Sequence, residues 1–89
     1  MAKFSVFGNL EPLVSRHKKI ELDCHTVQEG INQLVMRFPE LRGELVLENG
    51  DFNSYYSVLV NGENIEFLGG LGTELGTSDE VTIFPPIAA

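Results

Sequence analysis

The 89-residue chain holds one cysteine, Cys24, so no disulfide can close within it, and a disulfide-stapled secreted framework is excluded. No apolar run nears the ~20 residues that a membrane helix needs, so no membrane partner is expected. The opening Met1-Ala2-Lys3-Phe4-Ser5-Val6 lacks an apolar segment of signal-peptide length. The expected compartment is therefore the cytoplasm. Lys and Arg are missing altogether after Arg42: residues 43–89 carry eight acids and a net −8, whereas residues 1–42 carry six bases against five acids. A purely acidic half repels phosphate backbones, so no nucleic-acid partner is expected. Two readings of the acids stand: a surface that steers a basic protein partner, or one that only aids solubility. The length is too short for two hydrophobic cores, and it disfavours a self-contained multi-site enzyme.

What is present alternates. Lys3 to Phe7 has the period of two that marks a strand, ended by Gly8-Asn9, and after a loop through Pro12 the stretch Lys19 to Cys24 alternates again. Thr26-Val27-Gln28-Glu29 fits a capping box, in which the Thr26 hydroxyl accepts from the Glu29 amide and the Glu29 carboxylate reaches back to the Thr26 amide. Val27, Ile31, Leu34, Val35 and Phe38 then recur at helical spacing until Pro39 stops the helix. Gly30 inside it costs about 1 kcal/mol relative to alanine. Between Pro39 and Asp51 the pattern gives only an extra turn around Leu41 and Leu45 and a turn at Asn49-Gly50-Asp51. Tyr55 to Val60 is a third strand closed by Asn61-Gly62, with a short fourth near Ile65. Phe67 to Gly76 is loop or turn, and Glu80 to Phe84 is the last strand, stopped by Pro85-Pro86. The resulting class is α+β: a small mixed sheet with one main helix on one face.

Strand phase then singles out three side chains. With Phe4, Val6, Val58, Val60, Val81 and Ile83 facing the helix, Phe7, Leu59 and Phe84 face away from it. If their strands adjoin, these three form an apolar patch of the kind that marks a protein interface. Other constellations carry less. Cys24 and His25 are neighbours on a strand and point to opposite faces, so they cannot share a proton, and Cys24 is assigned to the core. His17, His25 and Cys24 lack zinc-site spacing, and no metal is expected. Gly69-Gly70-Leu71-Gly72 lacks the Lys-Ser or Lys-Thr of a phosphate loop. Asp79 and Glu80 are assigned to turn solvation or to pairing with basic residues of a partner.

The run Gly76-Thr77-Ser78-Asp79-Glu80-Val81-Thr82-Ile83-Phe84-Pro85-Pro86-Ile87-Ala88 resembles the D-G-D-E-V-x-x-x-P-P-V-A ending of the small subunit of molybdopterin synthase and its sulfur-carrier relatives. Outward Phe7 followed by Asn9 to Val14, the Thr-capped helix, Leu59-Val60-Asn61-Gly62 and the glycines around Leu71 extend the likeness along nearly the whole chain. The resemblance implies a β-grasp, ubiquitin-like fold of four or five strands over residues 1–84, with residues 85–89 as an extended tail. It implies a carrier and not an enzyme. In the family an E1-like adenylating enzyme uses ATP to activate the terminal carboxylate, a sulfur donor converts it to a thiocarboxylate, and a larger synthase subunit builds the dithiolene of molybdopterin with that sulfur. No cofactor is then bound by the chain itself.

On that reading Ala88 and Ala89 hold the carrier position, and Pro85, Pro86 and Ile87 form the part that inserts into the partner. Five residues reach about 17 Å at roughly 3.3–3.6 Å each, and the fixed φ of the prolines stiffens the root. The family pattern ends P-P-V-A-G-G; aligned without a gap, Ala89 falls on the penultimate glycine, and no residue matches the last. Extra methylenes in a narrow channel typically cost about 1–3 kcal/mol. Three alternatives therefore stand beside the molybdopterin role: a ubiquitin-like protein modifier, a carrier for thiamine, tRNA thiolation or the tungsten cofactor, and a docking homologue that transfers nothing.

Overall fold

The computed structural model describes residues 1–15 and 19–86. Strand β1 (Ala2–Val6) runs into a 3-10 segment, Gly8–Val14, and then β2 (Ile20–Leu22) and helix α1 (Val27–Arg37) follow. A 3-10 turn at Pro39–Leu41 leads into the short helix α2 (Arg42–Leu45), and β3 (Ser57–Val60), β4 (Glu63–Asn64) and β5 (Glu80–Phe84) complete one sheet of order β2-β1-β5-β3-β4. The central pair β1 and β5 is parallel, in register Lys3 with Glu80 through Val6 with Ile83. The other pairings are antiparallel. The chain thus leaves the sheet from its middle strand.

One face of this sheet is closed by α1. Phe4, Val6, Ile20, Leu22, Val58, Val60, Val81 and Ile83 meet Val27, Ile31, Leu34 and Val35 in a single buried cluster that also takes Leu10, Val14, Leu41 and Leu45. Gly30 has a steric reason within it. A Cβ there would stand 2.2 Å from Cζ of Phe4 and 3.0 Å from Sγ of Cys24, so the absence of a side chain is what lets the Phe4 ring lie against the helix. Thr26 caps the helix as its spacing predicts, accepting from the Glu29 amide at 3.1 Å. The reciprocal bond differs from expectation: the Glu29 carboxylate takes the His25 amide at 3.3 Å in place of that of Thr26. Thr26 lies in an isolated bridge to Glu74, which pins the entry to the helix against the glycine-rich segment.

Other differences have local causes. The loop expected through Pro12 is a 3-10 segment that buries Leu10 and Val14. The extra turn expected around Leu41 and Leu45 is present and longer than the pattern gives: Pro39 to Leu45 is helical throughout and buries both leucines. Strand β3 starts two residues later than the aromatic run suggests, because Asn53 folds the chain first: its Oδ1 accepts from the Tyr55 amide and its Nδ2 donates to the Glu44 carbonyl. Asn61-Gly62 does close a tight hairpin, with φ of +52° and +85° as a type I′ turn requires.

Candidate docking face and chain exit

Among the described residues the sheet's other face carries no helix, and the pleat arranges it in rows. At one end Lys3 lies between Glu21 and Glu80 in register, and Lys19 Nζ reaches Glu80 Oε1 at 2.8 Å. That hydrogen bond and the lysine charge hold the Glu80 carboxyl below its ordinary range. The middle row is Ser5, Thr82 and Leu59, and the far row holds Phe84 opposite Ser57, with Phe7 one step beyond the Val6–Ile83 pair. Phe7 is 49% exposed and held in place by its amide, which donates to the Ile83 carbonyl at 3.0 Å.

Leu59 and Phe84 therefore lie on the uncovered face of adjoining strands, and Phe7 sits one residue past the end of β1. Phe7 and Phe84 go further, lining one open apolar cleft with Gly8, Pro85 and Pro86. Leu59 stands one row away, opposite Thr82, and lies outside that cleft. The cleft runs directly onto Pro85-Pro86, so the apolar surface and the chain exit are continuous. Ile87, Ala88 and Ala89 lie outside the described residues, as does His17.

Among the described residues no acid lines that cleft. Glu80 is at the opposite end of β5 from Phe84, and it pairs with Lys19 within the chain. Asp79 accepts from the Gly76 amide at 2.7 Å and from Asn61 Nδ2 at 3.0 Å, which lowers its pKa and ties the turn before β5 to the β3–β4 hairpin. Glu48, Asp51, Glu63, Glu66 and Glu74 are further exposed acids of that half. Glu63 is in β4 and Glu66 in the 3-10 turn that follows it, while the other three sit between elements.

Groups with the means for catalysis are elsewhere. Cys24 is buried in the core, and burial, with Glu29 and Asp23 nearby, raises its thiol pKa, so it is a poor nucleophile. The His25 ring points out to solvent, 3.4 Å from Glu29. Among the described residues no three His, Cys, Asp or Glu side chains converge as metal ligands, and no helix is long and apolar enough to cross a membrane.

Sequence reasoning missed two features of the site. One is Gly8, whose φ of +68° and contact with the Pro85 ring make it part of the exit. The other is a chain of hydrogen bonds in which Asn9 Nδ2 donates to the Tyr56 hydroxyl at 2.9 Å and that hydroxyl donates to Glu44 Oε2 at 2.8 Å. Burial raises the Tyr56 pKa, with the Asn9 bond opposing and Glu44 adding to the effect. Asn9 and Tyr56 are 47 residues apart, so no local pattern announces their contact. The glycine had a signal: it follows the outward Phe7 where a strand must end.

A mixed five-stranded sheet closed by one long helix, with the chain leaving from the central strand, defines a β-grasp, ubiquitin-like protein. The sequence profile of the ThiS family matches residues 4–88, and the chain belongs to this family of small sulfur-carrier-type proteins. It is 31% identical over 85 residues to small archaeal modifier protein 3 of Haloferax volcanii, covering 96% of this chain and 90% of that protein. It is 30% identical over 73 residues to a protein of Archaeoglobus fulgidus named as a sulfur carrier, covering 78% and 81% of the two chains. The fold superposes on the Amycolatopsis orientalis BexX/CysO complex with a TM-score of 0.86 at 29% identity, covering 100% of this chain and 99% of the matched one. The relatives are small carriers and modifiers.

Proposed function

We propose that this chain is a sulfur carrier that works by presenting its own carboxyl terminus. Residues 1–84 are the body that a partner grips, and residues 85–89 are the segment delivered. The terminal carboxylate attacks the α-phosphorus of ATP on an E1-like adenylating enzyme and pyrophosphate leaves. A sulfur nucleophile then displaces AMP, and the resulting thiocarboxylate passes sulfur to an acceptor held by a larger partner. ATP and acceptor belong to the partners, and this chain binds no cofactor.

The observation that carries the reading is the continuity of the Phe7–Phe84 cleft with Pro85-Pro86 on the sheet face that the described residues leave uncovered. Docking on that cleft sets the chain exit against the partner. Buried aromatics are the usual anchors of such contacts, each worth about 2 kcal/mol or more. The larger partner is a molybdopterin-synthase-type subunit, as the Asp79-Glu80-Val81 and Pro85-Pro86 pattern suggests. The relatives named sulfur carrier proteins support the carrier class as a whole, in which the acceptor can also belong to a thiamine, tRNA-thiolation or tungsten-cofactor route. The name of the Haloferax relative favours a second reading, a protein modifier whose carboxylate joins a target lysine.

Intact-mass spectrometry after incubation with an E1-like enzyme, ATP and a sulfur donor separates them. The carrier reading expects sulfur in place of one terminal oxygen. Isopeptide-linked conjugates without that exchange would establish the modifier, and an unaltered chain would establish a docking homologue that transfers nothing.

A further inference from the structure

We propose that Gly8 is a positioning residue: the turn Phe7–Gly8–Asn9 is a fixed seat that sets the direction in which the chain leaves the sheet at Pro85. The inference rests on the carrier reading, since only a chain whose terminus is delivered needs a set heading at that point.

Gly8 is constrained twice. Its φ of +68° lies in the left-handed region, and a Cβ on it would fall 2.8 Å from Cγ and 3.0 Å from Cδ of Pro85. Gly50 and Gly62 also have positive φ, of +93° and +85°, yet a Cβ on either would meet nothing within 4 Å. Backbone conformation alone therefore accounts for those two glycines and not for Gly8, where the proline ring occupies the space a side chain would fill.

The seat is anchored from three directions. The Phe7 amide donates to the Ile83 carbonyl at 3.0 Å, which ties it to β5 just before the exit. The Gly8 amide donates to Glu11 Oε2 at 3.2 Å, closing the start of the 3-10 segment. Asn9 donates to the Tyr56 hydroxyl, and Tyr56 in turn donates to Glu44 on α2, so the turn is braced against that short helix. A side chain at position 8 would stand on a braced backbone and meet the Pro85 ring. The proline, just past the end of its strand, is the element that yields. Displacement by about 1 Å of a group that must enter a reaction site can cost on the order of a hundredfold in rate.

Asparagine adopts positive φ more readily than other residues with a Cβ, so Gly8→Asn keeps much of the backbone while filling the seat, and Gly62→Asn is the matched control. In the free protein, nuclear Overhauser contacts between Gly8 and the Pro85 ring are expected in the wild type. In Gly8→Asn the contact pattern between position 8 and Pro85 is expected to change while the core resonances are kept. An unmoved Pro85 ring in the variant would overturn the proposal. With an E1-like enzyme and ATP, Gly8→Asn is expected to lower kcat/KM for adenylation about tenfold to a hundredfold, whereas Gly62→Asn leaves it unchanged. Adding Pro85→Ala, which removes the two clashing ring atoms, is expected to restore part of the loss. Equal rates in Gly8→Asn and wild type, or equal losses at positions 8 and 62, would overturn it. A wild-type chain that is never adenylated overturns the carrier reading instead, and the Overhauser contacts still decide whether the seat exists.

Discussion

The two faces of one sheet differ in what their aromatic residues are for. Phe4 on the covered face is fully buried under Gly30, while Phe7, three residues on along the same strand direction, is half exposed beside the chain exit. The same contrast holds along β5, where Val81 and Ile83 are buried and Phe84 faces outward to line the cleft. Alternation alone assigns each side chain to one face. The helix then determines that one set supplies stability and leaves the other free to meet a partner.

That division can be broken by substitution. Phe4→Ala is expected to have the largest effect, a loss of about 3–5 kcal/mol in chemical denaturation, because the ring is fully enclosed and its removal leaves a cavity. A loss below about 1 kcal/mol would show that the covered face is not the core. Phe7→Ala with Phe84→Ala should do the reverse: partner affinity measured calorimetrically falls by about 3 kcal/mol or more, and the melting curve hardly moves. A variant that binds normally would show that the partner docks elsewhere.

Gly30→Ala sharpens the same comparison from the helix side. Alanine gains about 1 kcal/mol of helix propensity, but its methyl group collides with the Phe4 ring. Overpacking of this kind outweighs the gain, and a net loss of about 1–2 kcal/mol is expected by denaturation. A stabilised variant would mean that the ring can move aside.

Smaller effects lie at the charged end. Asp79 has its pKa lowered by the Gly76 amide and Asn61, so it contributes stability above the ordinary aspartate range and loses it as the pH falls through its folded value. Asp79→Ala should cost about 1 kcal/mol at neutral pH, and the gap to wild type should narrow as the pH falls below the ordinary aspartate range and the native carboxyl protonates. A gap independent of pH would point to packing instead of charge. Glu80 has its pKa lowered in the same sense by Lys19, on the exposed face, so Lys19→Ala should change the melting temperature least of all, and added salt should erase the change.

Much of this was legible in the sequence for a physical reason. The faces of β1, β3 and β5 follow from a period of two, and the helix from a period near 3.6 with Thr26 as its cap, all of which are local. The Asn61-Gly62 turn is local as well. The bracing of Gly8 by Asn9, Tyr56 and Glu44 was not legible, because it joins three segments through polar side chains that no periodicity relates. The role of Lys19 was hidden likewise: its partner Glu80 is 61 residues away. Of the helical stretch from Pro39 to Leu45 only one extra turn was legible, because two short turns never complete an amphipathic repeat.

The most direct test of the division between the faces is a heteronuclear NMR titration of the chain with an E1-like adenylating enzyme, reading which amides shift. Perturbations are expected at Phe7, Gly8, Leu59 and Phe84, with the α1 face around Gln28, Asn32 and Met36 unchanged. Perturbations confined to that helix face, with Phe7 and Phe84 silent, would contradict a docking role for the uncovered face.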